Sequence, residues 1–576
     1  MLKLMKYEFR KMRTTLLIML GVLAVLEIGF IIGTHMEKEV LTAVSIGLLS
    51  AKVRAEGVLA RGDSLSGGRG KTTLLVCARR SYADLFLKLS DTFRSNTLYF
   101  YDINARLDCE LNSRNRLQWS LFASKDKTVL KDMVGLQWQN LATSLSWHHR
   151  FRGRSGSTTS LLFSRYVTDN SVSLLGMDLS FSGHIRQGGL RQQFELALGP
   201  HILTLGGQSM LLSVKSAEWQ QVVSHEREQR GAWENVLWAG ATLNPLPCLS
   251  VQAGTRLTAF SSLGGPYSYE VDAAGDITWY YKTRSGRIVH THLTLDPRFS
   301  MVWRPTEQLS LKAGYSRTTQ NIHALRGQTT TTPFDRYALS SNLLKPQRAD
   351  QWSVGAYMAT PQQAYDFSAE AYFRRVENLL DYRDGKSFGS EIEMERLVLP
   401  GQGRSYGIEL MARKNGGRLT GWLAYTLAWS ENKIAGINGG AWYTANNDRR
   451  HDIDVVASYR LSPSWTLGAV WVYNSGQAFT APSGKYEIID NYIYYYAERN
   501  GYRAPASHHL DVNASWTRRI CHGRLERTWI FSVYNLYNHY NPFLINFEDS
   551  DHGARTKAVQ YSLFGIVPSV SLSIRF

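Results

Sequence analysis

The sequence predicts an all-β protein: a large antiparallel transmembrane β-barrel of about 20–22 strands, covering residues 41–576. Three observations lead to this fold class. Apolar and polar residues alternate with a period of two over long stretches, which is the pattern of strands with one apolar and one polar face. The connections between these stretches are long and short in turn. Aromatic residues make up 12% of the chain, with 30 tyrosines and 16 tryptophans.

The alternation is clearest in four stretches, 289–303, 365–373, 453–461 and 508–516. In the last of these, one face is apolar and the other is polar. The predicted strands have about ten residues each, the length of a tilted strand that crosses a membrane. The apolar face consists of Leu510, Val512, Ala514 and Trp516, and the polar face of His509, Asp511, Asn513 and Ser515.

The connections keep a rhythm that a soluble sandwich has no reason to maintain, whereas outer-membrane barrels have short periplasmic turns and long external loops. Because the last strand ends in the periplasm, the connection before it must be an external loop. Residues 539–565 form a long connection, which meets this requirement. We count roughly 21 strands, and we expect the first strand to be missing, so that residues 44–57 form the second. The long connections are 263–288, 319–349, 377–403, 430–449, 475–505 and 539–565, and the short ones are 243–247, 304–307, 359–364, 413–418, 461–464 and 518–526.

The composition alone is that of a water-soluble protein, with 44% hydrophobic and 20% charged residues. This average hides the barrel, because it is taken over both faces of each strand. The net charge is +17, most of it in the barrel region. Basic residues facing anionic lipid phosphates are the simplest explanation, and an anion-favouring lumen is the second; we predict no nucleic-acid partner.

Residues 1–40 do not match the rest of the chain. The run Leu16–Gly33 contains one charge, Glu27, and follows a basic flank, as in a membrane-inserting helix with its N-terminus in the cytoplasm. An uncleaved anchor is favoured over a signal peptide, because no small-residue cleavage site follows. Such a helix conflicts with an outer-membrane location and would favour the inner membrane. MLKLMKYEFRKMRTTLLIML also resembles the N-terminus of ABC-type permease subunits.

No pattern in the sequence indicates an enzyme, a cofactor or a metal centre. Residues 65–75, LSGGRGKTTLL, carry fragments of ATPase signatures, but Leu65 stands where the phosphate loop needs its first glycine. The four cysteines are far apart and form neither a disulfide framework nor a zinc motif. His290 and His292 share a strand face, but no third or fourth zinc ligand is identifiable. We therefore interpret them as solvated, lumen-facing histidines.

From residue 41 to 576 the chain resembles the β-barrel of TonB-dependent outer-membrane receptors of the kind common in Bacteroidetes-type bacteria. The resemblance is strong because several modestly specific segments occur in the right order and spacing. They are VSIGLLSAKVRAEG (44–57), RRSYADLF (79–86), LKPQRADQWSVGAYM (344–358), SYGIELMARK (405–414), NDRRHDIDVVASYRLSPSW (447–465), VYNSGQAFTAP (472–482), SVYNLYNHYNPF (532–543) and VPSVSLSIRF (567–576).

The resemblance implies uptake of an unknown small ligand across the outer membrane. In this family a plug fills the barrel, and an inner-membrane TonB complex pulls on a box near the receptor's N-terminus. Neither a plug nor a box is recognisable here, so we expect a truncated barrel that engages the TonB complex only if a plug is supplied. The alternatives are a passive porin-like channel, a non-functional chimeric product of two genes and, from residues 1–40 alone, an inner-membrane permease subunit.

Three sets of residues are candidate sites. The C-terminal strand presents one apolar face ending in an aromatic residue, which resembles the signal read by the barrel-assembly machinery. Exposed tyrosines in the loop 475–505 could stack on a ligand, although a membrane-rim girdle is the alternative. A charge cluster at the outer mouth of a strand could bind lipopolysaccharide phosphates or a ligand, or form only mutual salt bridges. The C-terminal strand residues are Val570, Leu572, Ile574 and Phe576. The loop tyrosines are Tyr492, Tyr494, Tyr495 and Tyr496, and the charge cluster is Arg449, Arg450 and His451.

Overall fold

The computed structural model describes most of the chain after residue 40. Residues 1–40, which include the helix predicted at Leu16–Gly33, lie outside the described residues. No helix in the described part of the chain has the length and apolar character needed to cross a membrane. The description covers residues 41–576 except 64–68, 83, 85–86, 89–94, 131–133, 175–176, 220–228, 266, 272–276, 327–334, 385–393, 489–490, 522–524 and 551–554.

Twenty-two antiparallel strands form one sheet that closes on itself, which confirms an all-β antiparallel barrel within the predicted range of 20–22 strands. A two-residue strand, Tyr443–Thr444, extends the sheet beside β17. The wall strands are β1 Leu41–Gly47, β2 Ser50–Asp63, β3 Arg69–Ser81, β4 Thr97–Glu110, β5 Asn115–Leu130, β6 Val134–Arg150, β7 Gly156–Leu174, β8 Met177–Leu198, β9 His201–Trp219, β10 Gln229–Leu246, β11 Leu249–Leu263, β12 Ile288–Trp303, β13 Leu309–Gln320, β14 Gln347–Ala359, β15 Tyr365–Tyr382, β16 Val398–Lys414, β17 Leu419–Ile434, β18 His451–Arg460, β19 Trp465–Asn474, β20 Ser507–Ile520, β21 Leu525–Tyr534 and β22 Val567–Arg575.

The expectation of a missing first strand is wrong. Residues 41–47 form β1, which pairs with β2 on one side and with the last strand on the other, from Ala43 opposite Arg575 to Gly47 opposite Ser571. The Ser45 hydroxyl donates to the Ser573 hydroxyl (3.0 Å) across this seam. The segment 44–57 is therefore two strands separated by Leu48 and Leu49.

The period of two sorts side chains between the two faces of the wall. On β22, Ser569 and Ser573 face inward and bond to serines of neighbouring strands. Val570, Leu572 and Ile574 occupy the alternate positions, and Val570 and the terminal Phe576 are 43% and 49% exposed. The predicted assembly-signal residues thus share the outer face, together with exposed large side chains of other strands such as Leu293. In water such a surface would be unfavourable, whereas hydrocarbon solvates it.

A ladder of five rings crosses the outer face of β13–β17. Each ring lies directly opposite the next in the strand register, and successive ring centroids are 5.3–6.4 Å apart. Such a belt is typical of the level where a barrel wall meets the membrane–water interface. The rings belong to Tyr315, Trp352, Phe373, Tyr406 and Trp429.

The two ends of the barrel differ. All six long connections predicted from the sequence leave one end, called here the loop end, and all six short ones leave the other, the turn end. The rhythm weakens before β9: the connections at 131–133 and 175–176 belong to the loop end but are short. The strands that they join are instead longer, reaching 19 and 22 residues in β7 and β8.

Candidate functional site

The long connection between β13 and β14 folds into the mouth of the barrel. Its two strands, Ile322–Arg326 and Asp335–Leu339, form an antiparallel pair that we call the infolded hairpin. Leu339 is buried in a cluster with Met210 and Phe260 of the wall. The Tyr337 ring contacts Tyr166 of β7 edge-on, with 6.0 Å between centroids. Because these wall residues point inward, the hairpin occupies part of the lumen.

Polar contacts hold the same connection against the wall. Asn321 donates its side-chain amide to Glu234 of β10 (3.2 Å), and His292 of β12 donates Nε2 to the Ser341 carbonyl (2.7 Å). His290 packs against His292 with ring centroids 4.5 Å apart. Among the described residues, no group of three or more side chains is placed to hold a metal ion. The histidine pair lies in the lumen, and His292 helps to fasten the loop.

A second connection, between β15 and β16, reaches the same wall strand, β10. Its short helix Met394–Leu397 carries Glu395, whose side chain is only 3% exposed. Arg230 of β10 donates two N–H groups to this carboxylate, with Nη2 to Oε2 at 2.9 Å, and the Ser341 hydroxyl donates to it as well (3.2 Å). Burial disfavours the charge, but the guanidinium more than compensates and leaves the pKa of Glu395 below its ordinary value. The Arg230–Glu395 ion pair, with Ser341, therefore links the β13–β14 and β15–β16 connections to β10.

Arg499 ties three further loop-end segments together. It lies in the connection between β19 and β20 and is 5% exposed. Its guanidinium donates to the Tyr382 carbonyl (2.9 Å) and lies 3.2 Å from an Asp381 oxygen. Its backbone N–H donates to the Asn438 side chain (2.8 Å), and Asn438 donates back to the Arg499 carbonyl (3.1 Å). The connections after β15, β17 and β19 therefore form one interlocked cap.

The predicted charge cluster lies where this cap meets the wall. Arg450 lies 3.6 Å from the buried Asp448, which also pairs with Arg503 and accepts a hydrogen bond from the Ser430 amide (2.7 Å). The Arg450 guanidinium also lies over the Trp429 ring, 4.5 Å from its centroid. Arg449 and His451 bond to the Asn474 amide oxygen and to the Tyr425 hydroxyl, respectively.

The predicted tyrosines lie on a β-hairpin formed by Gly484–Ile488 and Asn491–Tyr495. Tyr492 and Tyr494 are on its second strand, and the Tyr495 and Tyr496 side chains are 56% and 39% exposed. Lys485 joins this hairpin to the one between β21 and β22 through Asp549 (3.0 Å). The structure thus places exposed aromatic rings on the loop end, away from the wall.

Sequence reasoning missed the residues that close the mouth. Arg230 and Glu395 are 165 positions apart, and Arg499 reaches back more than 100 positions to Asp384 and Tyr382. No local pattern marks such partners. Charged residues are common in the long connections and on the strands, so the sequence does not show which charge meets which.

The infolded hairpin should loosen in acid because of His323. This residue is 2% exposed and hydrogen-bonded to the Ser340 hydroxyl (3.1 Å), and burial lowers its pKa to about 4. In a hairpin released from the wall, His323 would have a pKa near 6.5. Protonation therefore favours the released form, and the packed form loses stability as the pH falls from 6.5 to 4. The total loss is about 3 kcal/mol. Hydrogen–deuterium exchange of the hairpin, corrected for intrinsic rates, should rise over this range.

The control is His323→Leu, which removes the titrating group and should flatten the pH response of the hairpin. Exchange in the wall strands β9–β11 should not change over the same range. Equal pH sensitivity of the hairpin with and without His323 would contradict the assignment.

The comparisons with known proteins agree with this architecture. Residues 65–536 match the family model described as TonB dependent receptor-like, beta-barrel. No curated protein matches the chain in sequence.

Several solved structures share the fold. The copper transporter OprC aligns with a TM-score of 0.64 at 12% identity, over 93% of this chain and 80% of its own. The FrpB iron transporter from Neisseria meningitidis (F3-3 variant) has a TM-score of 0.61 at 11% identity, over 95% and 83%. The ferric citrate transporter FecA has a TM-score of 0.62 at 11% identity, over 94% and 79%. With the family model spanning most of the barrel, this chain belongs to the TonB-dependent receptor-like β-barrel family.

Proposed function

We propose that this chain is the barrel of an outer-membrane receptor that takes up a small ligand with energy from a TonB complex. The observation that carries the proposal is the arrangement of the loop end: interlocked connections lie at one end of a 22-strand barrel, and one of them reaches into its lumen. Connections fastened to the wall in this way can act as a cover that opens when a ligand is taken up. The family membership supports the same function, and the solved structures of similar fold named above are transporters of iron, copper or ferric citrate.

A plug is the element that this proposal still requires. The described residues of the barrel region form wall strands and the connections between them. Energised transport therefore depends on a plug from outside these residues, and we propose that the TonB complex acts on this barrel only through such a partner. Tyr495 and Tyr496 are the proposed first contacts of the ligand, because their rings are exposed at the loop end.

Uptake in cells tests the proposal. Radioactive ferric citrate and copper(II) serve as probes, in host strains that lack their own receptors for these probes. The strains express the full chain together with a receptor plug, with and without a functional TonB complex. Uptake of either probe that disappears without the TonB complex supports the receptor. Uptake that is independent of the complex would favour the passive channel.

Planar-bilayer conductance separates the receptor from the porin-like alternative without knowledge of the ligand. Because the hairpin and the cap obstruct the mouth, we expect the purified barrel to show little steady ion conductance. A steady open current without ligand would instead support a passive channel. A chain that yields no heat-modifiable species in the outer-membrane fraction would support the non-functional chimera, which the closed wall does not favour.

The terminal residue provides a test of assembly. We propose that Phe576, with Val570, Leu572 and Ile574, is read by the barrel-assembly machinery. Phe576→Ala should lower the amount of assembled barrel in cells several-fold, yet leave refolding in detergent unchanged, because a half-exposed terminal ring adds little to the stability of the wall. The matched control is Phe531→Ala, an outward residue of β21 with 44% exposure. Equal losses for both variants would refute a specific signal.

A further inference from the structure

Two arginines stand directly opposite each other on the outer face of β7 and β8. Arg165 pairs with Arg186 in the strand register, four positions along from the pair of Leu161 and Leu190. The flanking residues Tyr166 and Ile185 pack inward against the infolded hairpin and its cluster. Since neighbouring side chains in a strand point to opposite faces, both arginines point outward.

Like charges directly opposite in a sheet are destabilising. Neither Arg165 nor Arg186 forms a salt bridge in the described part of the chain. Asp169, farther along β7, accepts a hydrogen bond from Gln137 instead (3.3 Å). Both arginine side chains are exposed. Within the residues that the structure describes, the arginine pair therefore has no counter-charge.

Two more basic groups complete the patch. His184 and Lys215 face each other on β8 and β9 and share the outer face, because Ile185 and Val214 beside them pack inward. Arg186, Lys215 and Arg165 all lie close enough to His184 to act on it electrostatically. The His184 Nε2 atom is buried, yet it has no hydrogen-bond partner among the described residues. We call these four residues, Arg165, His184, Arg186 and Lys215, the basic patch.

The patch lies where the apolar outer surface ends. Toward the turn end, Leu161, Phe163, Leu190 and Leu211 are 43–59% exposed on the same face. Toward the loop end, the same face of β7 and β8 continues beyond Val167 with Asp169, Ser171, Ser180 and Ser182. A molecule that contacts both the basic patch and the apolar surface beside it needs an anionic group, such as a phosphate, next to acyl chains. Arginine suits the phosphate because its planar guanidinium donates two parallel hydrogen bonds.

We propose that the basic patch binds the phosphate of an anionic, lipid A-type headgroup whose acyl chains cover Leu161, Phe163 and Leu190. This inference is independent of the proposed uptake function, because the patch lies outside the lumen. The bound lipid supplies a counter-charge to Arg165 and Arg186.

Native mass spectrometry of the full chain in mild detergent tests this site. Bisphosphorylated lipid A is titrated against the wild type and R165S/R186S, and we expect at least tenfold weaker binding to the variant. The matched control, R152S/R154S, removes the same charge from the exposed turn between β6 and β7 at the turn end and should bind as the wild type does. Equal binding by R165S/R186S would overturn the proposal.

Two further binding measurements use only the wild-type protein, so that the test does not depend on the folding of a variant. Dephosphorylated lipid A should bind at least tenfold more weakly than the bisphosphorylated form. Excess inorganic phosphate should not displace the lipid, since it lacks the chains that cover the apolar surface. Equal binding of both lipid forms, or full displacement by phosphate alone, would show that the patch is not a phospholipid-type site.

Discussion

Deleting residues 41–47 is expected to abolish the heat-modifiable barrel. This strand supplies six residue pairs to β2 and five to β22. Without it, two sheet edges face hydrocarbon, where each unsatisfied backbone group costs several kcal/mol. The edges cannot simply join, because β2 and β22 are both antiparallel to β1 and would have to pair in parallel. Electrophoretic mobility with and without heating, after refolding in detergent, measures the loss.

The matched control deletes residues 484–495, a hairpin in the connection between β19 and β20. This change removes more residues but no wall strand, so the heat-modifiable species should persist. If the 41–47 deletion also retained that species, closure of the barrel would not depend on β1.

Replacing Glu395 with Gln should open the mouth. The substitution leaves Arg230 buried without its counter-charge, and breaking a buried pair in this way costs about 3–5 kcal/mol. The two connections fastened through Glu395 and Ser341 should then detach from β10 roughly a hundred to a few thousand times more often. We expect a rise in bilayer conductance together with faster hydrogen exchange in Met394–Leu397.

Two further variants distinguish loss of the pair from other effects. R230M/E395L replaces both charges with apolar side chains of similar volume, which is often nearly neutral, and should stay closed. Glu377→Gln breaks a partly exposed pair with Arg348 and should have little effect, because such pairs contribute about 0–1 kcal/mol. A closed mouth in E395Q would show that the ion pair does not hold the cover.

Much of the wall could be predicted from the sequence because its physics is local. Each strand carries its own alternation, so the fold class, the six pairs of long and short connections and the outward apolar faces followed directly. The first strand was missed for an equally local reason. LTAVSIG has seven residues, and only Leu48 and Leu49 separate it from β2, so that 44–57 looked like one continuous strand.

The cover of the mouth could not be predicted, because its contacts are not local. Glu395 was one carboxylate among many in long connections, and nothing near it in the sequence points to Arg230. The same holds for Leu339, an ordinary apolar residue of a connection that becomes part of a cluster with Met210 and Phe260. Such contacts exist only once the wall has brought the two segments together.

The unequal strand lengths make the entrance one-sided. Nine residue pairs of β7 and β8 continue past Arg165 and Arg186. At about 3.3 Å per residue and a tilt near 40°, they extend the sheet by roughly 20 Å beside the mouth, and we call this extension the fin. On the opposite side the rim is made of connections rather than of sheet. Large particles such as antibodies or phages would meet this fin first, while small solutes approach from the side without it.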